Sequence, residues 1–147
     1  MTETPPFSAT DFAVPLRRGR ANIIAVESGG DLAGYAVCLY KTEKDSGYTV
    51  AGVADMQVAE DSPEHVGALL AGAFCAARRQ GAAILQVTGF CNWKRLVLEE
   101  YRPRPTTPEA NWPYFYKARD PIMRTVLRQP DSWDPCAYDG DSALVCL

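Results

Sequence analysis

The sequence predicts a single α/β (α+β) domain built on a mixed, mostly antiparallel sheet with one βαβ crossover. Two observations lead to this prediction. A strand pattern, an amphipathic helix pattern and a second strand pattern follow one another between residues 50 and 88. A hairpin pattern precedes them, with β-rich runs at residues 22–27 and 32–40 around the turn Ser28-Gly29-Gly30-Asp31. Together these patterns place three antiparallel strands before the crossover.

The central helix is expected from Pro63 to Gln80. Ser62 is a good N-cap, proline fits the first helical position, and Glu64 suits the positive end of the helix dipole. Gly81 is expected to end the helix in a left-handed conformation. Apolar residues three and four positions apart form one stripe for the core: Val66, Leu69, Leu70, Ala73, Phe74 and Ala77.

Two strands flank this helix in the prediction. Tyr48 to Val58 forms the third antiparallel strand, and Gly52 is expected to mark a bulge in it. Ala83 to Val87 is a short apolar run that suits a buried strand. Strands joined by a helix are expected to be parallel, with a right-handed crossover.

A second, shorter helix is expected from Asn92 to Tyr101. Leu96 and Val97 would face inward, whereas Lys94 would be solvated. Arg102-Pro103-Arg104-Pro105 cannot be helical throughout, because each proline pushes the preceding residue towards extended geometry. This segment is expected to lead into an edge strand.

The last part of the chain is less regular. Trp112 to Lys117 is aromatic and predicts a strand antiparallel to that edge strand. Pro121 to Leu127 predicts a short helix, and Trp133 to Leu147 an irregular tail. The predicted order is therefore β-β-β-α-β-α-β-β.

Residues 1–147 are expected to form one domain, since no linker or repeat divides them. Residues 1–20 read as a loose N-terminal arm, in which residues 12–16 fit either a short helix or an edge segment. The basic cluster Arg17, Arg18 and Arg20 is either solvated or contacts an acidic partner or a phosphate. Residues 119–147 read as a C-terminal extension.

Composition narrows the function classes. The chain has 147 residues and a formal net charge of -3, which argues against general nucleic-acid binding through clustered positive charge. No apolar run is long enough for a transmembrane helix, so no membrane association is expected. The absence of a visible signal sequence favours a cytoplasmic setting.

The five cysteines form neither a CxxC pair nor an obvious disulfide framework, and the chain has a single histidine, His65. No metal site is therefore predicted. Cys38 and Cys75 are expected in the core. Cys91 follows a parallel strand and is weighed as a nucleophile, although no second histidine is present to lower its pKa.

At this point the chain resembles the GNAT superfamily, the acyl-CoA N-acyltransferases. Residues 23–37 look like the central hairpin of that family, and residues 54–58 look like its acyl-CoA-facing strand. Residues 63–87 are similar to its phosphate-binding helix and the strand that follows, and residues 100–103 with 112–116 resemble its closing segments. The resemblance covers about residues 22–118, and its specificity comes from the order and spacing of the pieces.

The resemblance implies acetyl-CoA or another acyl-CoA as cofactor and an amine as acceptor. Asp55 would orient that amine, and Asn92 matches an asparagine that often follows the second parallel strand. The resemblance also implies cofactor contacts along the central strand and the start of the helix: Met56, Gln57, Val58, Ser62, His65, Val66 and Gly67. Tyr101 aligns with the aromatic that ends the closing helix, so no general-acid tyrosine is carried over.

Two differences from the family pattern bear on function. The turn into the central helix contains Glu60, Asp61 and Glu64 where the family has glycines and arginines that hold pyrophosphate. Carboxylates there repel phosphate. The family also begins with a strand and two helices, and the roughly twenty residues before the hairpin are too few for all three.

Two functions remain open. The first is acyl transfer from acyl-CoA to an amine. The second is a non-catalytic binding or assembly module with the same fold, which would hold a partner through its basic front, its aromatic strand or its tail. A homodimer or another chain would then cover the region that the missing front leaves open.

Overall fold

The computed structural model describes residues 8–16, 19–105 and 117–136. In these residues five strands form one sheet: β1 (Ser8–Leu16), β2 (Gly19–Ser28), β3 (Asp31–Thr42), β4 (Thr49–Val58) and β5 (Ala82–Val87). The α-helices of the described part are α1 (Pro63–Arg79), α2 (Asn92–Glu100) and α3 (Pro121–Leu127). A 3-10 turn at Pro130–Ser132 follows α3.

The strands lie in the sheet in chain order, β1-β2-β3-β4-β5. The first four pair antiparallel, and β5 pairs parallel to β4 after the crossover through α1. The predicted mixed sheet with one βαβ crossover is therefore confirmed. The predicted strand at Trp112 to Lys117 lies outside the described residues except at its last position.

The prediction of a loose N-terminal arm is wrong for residues 8–16, because they form β1 and pair along their length with β2. The edge-segment interpretation of residues 12–16 is the correct one of the two alternatives. Only Arg17 and Arg18 separate β1 from β2. The strand expected at the front of the GNAT pattern is thus present, but its two helices do not lie between β1 and β2.

Helix α1 covers one face of the sheet and builds the main core with it. Its N-cap is Ser62, and Gly81 adopts a φ of 72° just beyond its end, as predicted. The stripe is correct except at Phe74, whose side chain is 54% exposed; Ala76 is buried instead. Each step of four residues advances about 40° around a helix, so the series Val66, Leu70, Phe74 rotates away from the core and leaves Phe74 at the solvent edge of the stripe.

Three further expectations about burial are wrong. β5 is not buried, since Ile84 is 52% exposed and the strand lies at one end of the sheet order. Cys75 is exposed on α1, whereas Cys38 is buried as expected. On α2, Val97 faces the core as predicted but Leu96 is exposed.

The bulge in β4 falls at Ala54 rather than at Gly52. The neighbours Val37 and Cys38 on β3 pair with Asp55 and Val53, so Ala54 is the extra residue. A bulge re-aims the strand that follows it. The pairing of β4 with β5 ends at Val53 and Val87, and in the described part of the chain no strand pairs with that edge of β4 beyond this point.

Candidate functional site

A cleft of about 260 Å³ opens where β4 and β5 separate. It lies between the end of β4, the start of α2 and the segment after α3. The residues that line it are Gln57, Val58, Asp61, Cys91, Trp93, Lys94, Asp131, Ser132, Trp133 and Asp134. It is the natural candidate site, because ligands of α/β proteins bind where parallel strands end and diverge.

The predicted cofactor residues on β4 divide between the core and the cleft. The side chain of Met56 is 1% exposed and packs in the core beneath α1. Gln57 and Val58 line the cleft as expected. Met56 therefore reaches the cleft only through its main chain, and its carbonyl oxygen accepts a hydrogen bond of 2.9 Å from Nζ of Lys94.

The start of α1 already uses its main-chain donors within the chain. The Ser62 N–H donates to Glu60 O at 2.7 Å, and the Val66 N–H donates to Ser62 O at 3.2 Å. The His65 N–H donates to the Ser62 hydroxyl at 3.2 Å. Pro63 has no N–H to offer. The amides that would bind an anion at a helix N-terminus are thus engaged.

The remaining donor in this turn is the Glu64 N–H. A hydrogen bond from this amide to the Glu64 carboxylate lowers the pKa of that carboxyl group, and the Ser62 hydroxyl lowers it further by donating to the carboxylate at 3.0 Å. A carboxylate at the first turn is favoured by the helix dipole. Glu64 therefore adds a negative charge to the first turn of α1.

The other predicted residues of this turn are placed as follows. His65 is half-buried, and Val66 is fully buried in the core, so its side chain cannot meet a ligand. The carbonyl oxygen of Gly67 accepts a hydrogen bond of 3.0 Å from the Tyr101 hydroxyl. Tyr101 thus ties the end of α2 to the first turn of α1, which agrees with its expected place at the end of the helix.

Asp55 lies beyond the bulge in β4 and belongs to a small polar row. The Tyr35 hydroxyl donates to Asp55 Oδ2 at 2.8 Å, and the Gln57 amide donates to Asp55 Oδ1 at 3.3 Å. The hydrogen bond to Asp55, with burial and the nearby negative charge, raises the pKa of the Tyr35 hydroxyl. Tyr35 is therefore held as a protonated donor.

Asn92 begins α2, where its side-chain amide donates to Asp131 Oδ1. The structure thus uses Asn92 to hold the segment after α3. It brings Gln57, Val58 and Asn92 to the same region, whereas His65 and Gly67 do not line the cleft.

Lys94 is the residue that sequence reasoning missed. It was expected in solvent, yet it is 2% exposed and its ammonium contacts both Met56 O and the Asp134 carboxylate. The ammonium also lies within 6 Å of the Phe90 and Trp93 ring centroids, at 5.7 and 5.8 Å. Its position on the face of α2 shared with Val97 is the one sequence signal that could have indicated burial.

Asp134 completes this contact. Burial by itself would raise the pKa of Asp134, but the hydrogen bonds from Lys94 and from the Cys91 N–H outweigh burial, and the pKa is lowered. Asp134 is therefore ionised and pairs with the buried ammonium, as the desolvation cost of a buried charge requires.

The Cys91 thiol does not have the properties of a nucleophile. Burial raises its pKa most strongly; the main-chain N–H of Lys94 opposes this rise, and the Asp134 carboxylate adds to it, so that the pKa is raised. A nucleophilic cysteine needs a lowered pKa. Among the described residues no cluster of His, Cys, Asp or Glu is arranged to hold a metal ion.

Comparisons with known proteins identify the fold. No protein-family model matches the sequence, and no curated protein matches it. Solved structures do match: a probable acetyltransferase aligns over 67% of this chain and 70% of its own, with a TM-score of 0.53 and 19% identity. The ribosomal-protein-alanine N-acetyltransferase from Brucella melitensis biovar Abortus 2308 covers 67% and 71%, with a TM-score of 0.51 and 16% identity.

A third match carries a different kind of name. A transcriptional regulator from Bacillus halodurans C-125 aligns over 65% of this chain and 66% of its own, with a TM-score of 0.54 and 15% identity. The chain therefore has the GNAT fold, as the sequence predicted. None of the described helices combines the length and the apolar character needed to cross a bilayer.

Proposed function

We propose that this chain is a non-catalytic relative of the GNAT acyltransferases that serves as a binding or assembly module. The observation that carries the proposal is the state of the α1 N-terminus. The main-chain N–H groups of Ser62, His65 and Val66 donate inside the chain and Pro63 has none, while the turn carries three acids, at positions 60, 61 and 64. A site of this kind offers a pyrophosphate neither donors nor a positive field.

The hydrogen bonds already made beside the cleft support the same proposal. An acyl-CoA lying along β4 would need main-chain partners beyond Val53, and the Met56 carbonyl oxygen is already bonded to Lys94. The fold itself leaves the function open, since one fold hosts unrelated functions. None of the described cysteines, at positions 38, 75, 91 and 136, is in a disulfide, which supports the expected cytoplasmic setting.

A ligand titration tests the proposal. The melting temperature of the wild-type chain should not rise with coenzyme A or acetyl-CoA up to about 1 mM, because a ligand stabilises a protein only if it binds the native state. The triple variant E60Q/D61N/E64Q should gain a saturable rise. The variant E99Q/E100Q, which removes exposed acids on α2, is the matched control and should behave as wild type. A saturable rise in the wild-type chain would contradict the proposal.

The second candidate is acyl transfer to an amine, with acyl-CoA in the cleft beside β4. It is favoured by the hydrogen-bonded row Tyr35, Asp55 and Gln57 next to the separated strand end, which supplies an anionic group for an acceptor amine. Release of free coenzyme A from acetyl-CoA in the presence of mixed primary amines tests it. Release that D55N abolishes would establish this function instead of the first.

A binding module requires a partner. We propose that this partner is a second copy of this chain or another chain. It would lie on the face that the two helices of the GNAT pattern, which are not found between β1 and β2, would cover. Arg20 on β2 is exposed and donates to Gln80 at 3.3 Å, so the described part of the basic front is bonded within the chain rather than extended. The elution volume on a sizing column, measured over a range of concentrations, reports whether the chain self-associates.

A further inference from the structure

The segment Asp131–Cys136, here called the strap, adds a short stretch of β-like contact beside the cleft. Gly89 and Cys136 form an antiparallel bridge, and the Phe90 N–H donates to Pro135 O at 2.7 Å. The Cys91 N–H donates to Asp134 Oδ1 at 3.0 Å. The main chain that follows β5 therefore bonds to the strap, and these donors are withdrawn from any ligand in the cleft.

Lys94 joins the strap to the opposite wall. Its ammonium is bonded both to the Asp134 carboxylate and to Met56 O on the unpaired end of β4. One buried cation thus spans the cleft from β4 to the strap. The polar groups on both walls of the cleft, the Met56 carbonyl oxygen and the Asp134 carboxylate, are therefore already bonded to Lys94.

Gly89, in the segment after β5, allows the strap to approach the main chain closely because it has no side chain. It has a φ of 95°, and a Cβ added there would lie 2.9 Å from the carbonyl carbon of Pro135 and closer still to its oxygen. That approach leaves no room for a side chain. Position 89 therefore accepts only glycine while the strap is in place.

The outer side of the strap faces solvent. Asp131 and Ser132 are exposed, and Trp133 and Asp134 are only half-buried. On this side the Trp133 indole donates to Leu127 O at 2.9 Å, and the Asn92 amide donates to Asp131. Segments with few buried apolar contacts open at lower free energy than the core.

We propose that the strap is an internal plug, held closed by the contact of Lys94 with Asp134, that excludes an elongated thioester such as the pantetheine arm of acyl-CoA from the end of β4. This inference rests on the proposed function, in which the closed chain does not bind coenzyme A. The strap is thus a second obstacle to acyl-CoA, separate from the acidic turn and reversible. The two obstacles act at different parts of the ligand, so they can be tested apart.

The probe for the strap is S-acetylpantetheine, which carries the thioester and amide arm but no phosphate. Asp134→Ala removes the partner of Lys94, and Gly89→Ala forces a methyl group against Pro135. We expect either variant to bind S-acetylpantetheine at least tenfold more tightly than wild type by calorimetry. Amide hydrogen exchange in residues 89–91 and 131–136 should become faster. Asp45→Ala, in an exposed loop, and Gly52→Ala, with open space at its Cβ position, are the controls and should match wild type.

Each result decides the inference. Faster exchange in Asp134→Ala without tighter binding of S-acetylpantetheine overturns the plug, and unchanged exchange overturns the holding role of Asp134. If Gly89→Ala does not fold, Asp134→Ala alone decides.

Coenzyme A separates this inference from the proposed function. Asp134→Ala should bind it only weakly, because the acidic turn remains. Asp134→Ala combined with E60Q/D61N/E64Q should bind it more tightly than E60Q/D61N/E64Q alone, in which the strap is still closed. Binding of coenzyme A by the wild-type chain would refute the proposed function. Wild-type binding of S-acetylpantetheine as tight as that of the variants would refute the plug alone.

Discussion

Lys94 and Met56 lie 38 residues apart in the chain, and the ammonium of Lys94 donates a hydrogen bond of 2.9 Å to the main-chain carbonyl oxygen of Met56. The same ammonium contacts Asp134. One buried cation on α2 therefore joins that helix to strand β4 and to the strap.

Lys94→Met is expected to lower the free energy of unfolding by about 2 to 3 kcal/mol, because it leaves Asp134 and a main-chain carbonyl without their charged partner. Chemical denaturation measures the change. Lys41→Met is the matched control. Its ion pair with Glu43 at 3.7 Å is exposed, so its loss should cost less than about 1 kcal/mol. Equal effects of the two substitutions would mean that the buried contact is not stabilising.

Gly34→Ala should destabilise the sheet by about 1 to 3 kcal/mol through overpacking. A Cβ at Gly34 would lie 2.8 Å from Gln57 O, 2.9 Å from Val58 Cγ1 and 3.3 Å from Leu69 Cδ1. Gly52→Ala is the comparison within the same sheet, since its Cβ meets nothing within 4 Å. Thermal unfolding of both variants checks the difference, and a Gly34→Ala protein as stable as Gly52→Ala would contradict the close packing.

The Tyr35 hydroxyl should titrate above the ordinary tyrosine pKa of 10.0, first because it donates to Asp55 and then because of burial. Because the folded-state pKa is raised, this group contributes stability that is present below about pH 10 and is lost as the pH rises through the folded-state pKa. Ultraviolet titration of phenolate detects the group as a late component. Asp55→Asn should shift that component down, and Tyr35→Phe should remove it; a titration curve that Asp55→Asn leaves unchanged would be inconsistent with the pair.

Cys75 should react with iodoacetamide well before Cys91 at neutral pH. Cys75 is exposed, whereas the Cys91 thiol is half-buried and its pKa is raised, so it presents less thiolate. Peptide mapping by mass spectrometry gives the rate at each position. Cys38, which is fully buried, is the internal reference for a thiol that does not react in the native state. Faster alkylation at Cys91 than at Cys75 would contradict the raised pKa of the Cys91 thiol.

The sequence was sufficient for the elements whose signals are local. Ser62, Pro63 and Gly81 mark the ends of α1 by capping preferences that need no tertiary contact, and the structure places those ends where they were expected. The hairpin between β2 and β3 followed from its two glycines, which both adopt positive φ.

The sequence was insufficient where long-range contacts decide. Lys94 reads as a solvated helix residue until Asp134, 40 residues later, is placed beside it. The first strand was missed because residues 8–16 have a weak alternating pattern and gain their order by pairing with β2. The bulge was assigned to the glycine in β4, although register between two strands, not residue type, fixes it at Ala54.

The order of the strands has a consequence for how the protein is made. Since β1 to β5 pair with their neighbours in the order of synthesis, each strand can dock on an edge that has already left the ribosome. The antiparallel strands are joined by short connections, and among β1 to β5 only the crossover through α1 closes a longer loop. The entropic cost of loop closure is therefore small for most of the strand pairs. The residues of the strap are translated after all of these elements. The growing chain therefore passes through a stage in which β1 to β5 are paired and the groove at the end of β4 is still uncovered.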